Sequence, residues 1–154
     1  MTATLIAVFG TLLGAIVSGL LQHRAARSVR VEAREDETRT AQLDAVTVLA
    51  VAVSDHRRAM WELRDAVLRG EAAARVTELR DESHRTRSAI TAPAVRVRLL
   101  VTDGAVRVAA DEAIQATYRM RDAADMDALE DLRAAALNTH DAFIERAADW
   151  LATA

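Results

Sequence analysis

The residues best suited to chemistry are three histidines, His56, His84 and His140. Each has a carboxylate within two positions: Asp55, Glu82 and Asp141. Imidazole and carboxylate together can ligate a metal ion or pass a proton. Asp81-x-x-His84 also has the i, i+3 spacing that puts two side chains on one helical face. A di-metal carboxylate bundle, however, takes Glu-x-x-His from each of two helices and further Glu from the facing ones. Here a single Asp-x-x-His occurs. The expectation is no metal site, no cofactor and no catalytic residue, with histidines that are packed or half-exposed. A Gly-rich phosphate loop, a nucleophile elbow and a His-Glu-x-x-His motif are all missing from the sequence. With no Cys, disulfides and thiolate zinc sites are excluded.

The second candidate is a strip of arginines. Ser83–Thr102, SHRTRSAITAPAVRVRLLVT, holds no acid and carries Arg85, Arg87, Arg96 and Arg98. Residues eleven apart are about three helical turns apart, so Arg85 shares a face with Arg96, and Arg87 with Arg98. Such a strip can dock phosphate, lipid headgroups or an acidic partner. The alternative, which we expect, is a solvated face pairing with the acidic last helix. No aromatic interleaves the strip, which argues against stacking on single strands. All twenty basic residues are Arg. That reads first as codon bias of a GC-rich genome. Arg57 and Arg58 beside Trp61 suggest a local cation–π contact of structural use.

These side chains need scaffolding, and the composition says it is helical. The 154 residues include 34 Ala, one Pro and five Gly, so helix breakers are scarce and the best helix former dominates. The predicted fold is all-α: an N-terminal transmembrane helix continuing into a long helix, then a small antiparallel bundle. The expected parts are an anchor over 1–21, a juxtamembrane stalk over 22–42 and a cytoplasmic bundle over 43–154.

The anchor rests on nineteen uncharged residues, Ala3 to Leu21. As a helix they span ~28 Å, close to the ~30 Å hydrocarbon thickness of a bilayer. The basic start and small-residue cleavage site of an export signal are missing. Arg24, Arg27, Arg30 and Arg34 follow at once, suited to anionic headgroups. They place the N-terminus outside and the bundle in the cytoplasm. Gly10, Gly14 and Ser18 recur every four residues, the small-xxx-small spacing that lets helices pack closely in lipid. A homo-oligomer is expected through that face.

Beyond the span, Arg34–Glu37 and Glu35–Arg39 have the spacing of helix-surface ion pairs. Apolar steps of three and four then mark a packing seam: Val46, Leu49, Val53, His56, Met60, Leu63 and Val67. Gly70 ends it as a left-handed cap would. Val76, Leu79, Ser83, Thr86, Ile90, Pro93, Val97 and Leu100 repeat the spacing. Because its phase persists, one helix kinked at Pro93 is favoured over a break there. The strand-like alternation of Val95–Leu99 has no partner strand and is set aside. Asp103 caps a third helix through Val106, Ala110, Ala113, Thr117 and Met120. After the link at 122–125, Met126, Leu129, Leu132, Ala136, Phe143, Ala147 and Trp150 mark a fourth. Short links between long helices make antiparallel neighbours.

The segments SDHRRAMWELRDAVL (54–68), ESHRTRSAITAP (82–93), ATYRMRDA (116–123) and HDAFIERAADWL (140–151), behind GTLLGAIVSGLL, resemble the KilB-like proteins. These are encoded on conjugative plasmids and integrated elements of mycelial actinobacteria. The resemblance implies a small membrane-associated protein that helps plasmid spread in the mycelium, beside a DNA translocase and other spread proteins. It carries no catalytic motif. The expected function is a membrane-anchored, non-enzymatic helical interaction protein supporting that spread. Two alternatives are a membrane-tethered nucleic-acid-binding module and a membrane-perturbing lethal protein. Net acidity beyond the anchor speaks against DNA: residues 103–154 alone hold eleven acids and five Arg.

Overall fold

The computed structural model describes the backbone of residues 2–153 and the side chains of residues 33–153. Four α-helices follow one another: α1 (Thr2–Leu68), α2 (Ala73–Leu100), α3 (Gly104–Arg119) and α4 (Met126–Thr153). A single 3₁₀ turn, Met120–Asp122, follows α3. The chain divides into two compact units, Met1–Thr38 and Arg39–Ala154. In the first, residues 33–38 of α1 are exposed, and the Thr38 hydroxyl donates to the Arg34 carbonyl at 2.8 Å. The expected span 3–21, with Gly10, Gly14 and Ser18, lies outside the residues whose side chains are described, as do Arg24, Arg27 and Arg30. Among the described residues no helix is long and apolar enough to cross a membrane.

The second unit is an antiparallel bundle, and its cross-helix contacts give the register. Gln42 on α1 donates to the Leu100 carbonyl at the far end of α2, while His56 meets Thr86. Along α4, Trp61 faces Glu130 and Ala50 faces His140. Both neighbours therefore run opposite to α1. The tight link between α1 and α2 is explained by Gly70, at φ 68°. Glu71 N–H bonds back to the Ala66 carbonyl and Gly70 N–H to that of Val67, a Schellman closure. A Cβ there would touch nothing within 4 Å. Glycine's advantage over Ala, ~1 kcal/mol, is thus backbone conformation alone. Asp103 caps α3 as expected, accepting from Val106 N–H at 2.8 Å, and Asp125 does the same for Ala128 N–H of α4.

The seams predicted from spacing form the core. Leu49, Val53, Ile90, Val97, Val106 and Phe143 are buried in one cluster, and Met60, Met120, Leu129 and Ala136 in another. With few aromatics, the helices close on small residues: Ala45, Ala109, Ala113, Ala116, Ala136 and Ala147 are all at most 2% exposed. Between the clusters lies a polar layer of His56, Ser83, Thr86 and Thr117, all buried. Near the end of α1 the seam turns to Ala66, leaving the expected Val67 exposed.

As favoured, α2 passes through Pro93 as one helix, Val95–Leu99 included, so no new helix begins at the proline. Two local expectations need correction. The ion pairs Arg34–Glu37 and Glu35–Arg39 do not form among the described residues. Arg39 instead donates to the Leu151 carbonyl at the end of α4. Trp61 takes its cation from α4: Arg133 lies 5.5 Å from the ring centroid, where Arg57 and Arg58 were expected. Arg57 donates to Ser54 Oγ of its own helix. A cross-helix cation wins because Trp61 is also fixed by its N–H bond to Glu130, one turn from Arg133.

Candidate functional site

The four strip arginines leave α2 on two flanks, as their spacing requires, and each meets a partner within the bundle. Arg96 pairs with Asp44 of α1 at 2.6 Å, and Arg85 holds Glu82 of its own helix with both ends of the fork. On the other flank, Arg98 pairs with Asp111 of α3 at 3.2 Å, and Arg87 stacks over Tyr118 at 4.6 Å. The expected acidic partners on the last helix are not used, because α2 faces α1 and α3. The ion pairs are exposed and screened by solvent, so they add little to stability. The Arg85 hydrogen bond holds the Glu82 carboxyl below its ordinary range.

The three histidines do not converge. Among the described residues no group of three or more His, Asp or Glu side chains could hold a metal ion. His140 Nε2 donates to the Ala50 carbonyl at 3.0 Å, joining α4 to α1. His84 is exposed on α2. His56 is 1% exposed, with Nδ1 3.0 Å from Thr86 Oγ1 and its ring edge-on to Tyr118 at 5.4 Å. Burial, then the Arg87 charge, push its pKa down to about 4, so the imidazole is neutral at physiological pH. Its Nε2 is buried without a partner.

An apolar groove of about 450 Å³ lies between α1 and α4. Leu43, Val51 and Ile144 stand on its lips and are 55%, 56% and 41% exposed, with Ala50 and Ala147 in its floor. Its lining holds no Arg, Asp or Glu. Sequence spacing missed it because the α1 seam accounts for one face only. The signal was present in Leu43, Thr47, Val51 and Ser54, a second row at steps of three and four. Contiguous exposed apolar surface of this kind is a candidate interaction site.

The model of the KilB plasmid transfer protein family matches residues 43–151. Protein KilB of Streptomyces lividans is 47% identical over 148 residues, which cover 96% of this chain and 97% of that protein. No solved structure matches the chain.

Proposed function

Because the chain belongs to the KilB plasmid transfer protein family, we propose that it is a membrane-anchored, non-enzymatic interaction protein supporting spread of a plasmid or integrated element through the mycelium. Residues 3–21 are the anchor, with the N-terminus outside, the bundle in the cytoplasm, and Arg24, Arg27, Arg30 and Arg34 at the headgroups. The observation that carries the reading is the uncharged groove with exposed Leu43, Val51 and Ile144 on its lips. Its occupant is a second copy of the chain. Identical tethers bring identical faces to the same depth below the bilayer, which suits an isologous pair. Confinement to one surface raises the effective concentration, so a modest groove suffices. Gly10, Gly14 and Ser18 add a second self-contact within the lipid. Other transfer proteins then meet an array of bundles. DNA is the weaker reading, since three of the four strip arginines, Arg85, Arg96 and Arg98, are paired with Glu82, Asp44 and Asp111.

The absence of Cys makes a clean test available. A Val51→Cys variant, oxidised in native membranes, is expected to give a disulfide-linked homodimer. Gly14→Leu in the same background should reduce its yield. A Val51→Cys chain that stays monomeric, while Cys at exposed Leu99 crosslinks equally well or better, removes the groove from the account.

A further inference from the structure

Between α1, α2 and α3 lies a cavity of about 270 Å³ that the proposed function does not use. Its wall contains three guanidiniums, Arg80 and Arg87 from α2 and Arg121 from the 3₁₀ turn, and no carboxylate. That is unusual in a chain of net charge −3. Arg80 forms no ion pair among the described residues. Arg121 touches Asp122 through Nε alone, leaving its terminal nitrogens free. Arg87 Cζ lies 4.6 Å from the Tyr118 ring centroid, a contact that uses the face of the ring and occupies none of the guanidinium's N–H groups with a carboxylate. His56 lines the same cavity, 1% exposed, and its Nε2 has no partner. A buried polar atom without a partner, bordering a basic cavity, has the character of a vacant ligand contact.

We propose that this cavity binds the phosphate group of a small phosphate ester or phosphoryl headgroup. Guanidinium forks match phosphate oxygens in geometry and charge, and three of them suit a dianion. The fourth contact comes from His56. The Thr86 hydroxyl gives its hydrogen to the Glu82 and Ser83 carbonyls at 3.1 Å, so it accepts from His56 Nδ1–H and Nε2 keeps its lone pair, an acceptor for an O–H of the bound molecule. A neutral imidazole makes this contact without adding a buried charge to the unliganded protein. Met60 and Leu63 give the cavity an apolar side for the organic part of the ester.

The test is calorimetric titration of the full-length protein in maltoside micelles. The probes are inorganic phosphate, glycerol phosphate, and mixed micelles doped with phosphatidic acid, with phosphatidylcholine as the control. Saturable binding of phosphate or glycerol phosphate assigns a free ester. Saturable binding of phosphatidic acid alone assigns a lipid headgroup. In either case Arg80→Ala and Arg121→Ala, both exposed and outside the core, are expected to weaken binding roughly tenfold each, the loss of one charge-assisted contact. Arg146→Ala, on the far side of α4, should leave it unchanged. Absence of saturable binding to every probe overturns the assignment. So does binding that is indifferent to Arg80→Ala, or that falls equally with Arg146→Ala. The groove and the anchor are untouched by either result.

Discussion

His56 shows most clearly how one residue ties the fold to its conditions. Its pKa falls from 6.5 to about 4 on folding, by burial first and the Arg87 charge second. The unfolded chain therefore binds more protons between those values, and stability rises with pH across that window. Above pH 6.5 the residue imposes no penalty; at pH 5 the loss is about 2 kcal/mol. Thermal unfolding of the full-length protein in detergent should show Tm flat near neutrality and falling as pH drops from 6.5 towards 4. His56→Gln should remove most of that slope. Glu82 and Glu130, held below the ordinary carboxylate range by Arg85 and by Trp61 with Arg133, add acid sensitivity only further down. The sequence could place His56 on the packing seam, since it falls in step with Val53 and Met60. It could not reveal that Thr86 and Tyr118 would meet it, because those contacts depend on helix register. The partners of Arg87, Arg96 and Arg98 were hidden for the same reason. Spacing says which arginines share a flank, and only the packing order of helices says which helix that flank faces.

At the scale of elements, periodicity was an effective guide because the helices are long and breakers few. Gly70, Asp103 and the link before α4 punctuate the chain where local chemistry requires it. Pro93 is the instructive case. It lacks the N–H that would bond to Ala89, yet α2 continues through it because Ile90 and Val97 on either side are both buried in the core. Tertiary packing here outweighs a local penalty of ~3 kcal/mol. Pro93→Ala should therefore raise the unfolding free energy, by about 1 kcal/mol or more after the gain in unfolded-chain entropy is set against the restored bond. Denaturant titration with unchanged slope would establish it; a lower midpoint would show that the proline ring is itself a required packing element. The α1–α4 groove escaped the reading of α1 because two apolar rows run side by side on that helix. Only the one facing the core was read as a seam.

For the whole molecule, the family is that of a plasmid transfer protein, and in our account the bundle serves transfer by contact. The bundle contributes an apolar groove between α1 and α4 and a basic cavity between α1, α2 and α3. What makes these surfaces useful in our account is their delivery to the membrane by residues 3–21. Composition alone suggests this step, through nineteen uncharged residues ending at arginines. Fractionation of cells expressing the full-length chain tests it most directly. The account predicts that the protein sediments with membranes, resists extraction by alkaline carbonate and is released by detergent. Full-length protein in the carbonate supernatant, or in the soluble fraction without detergent, would contradict it.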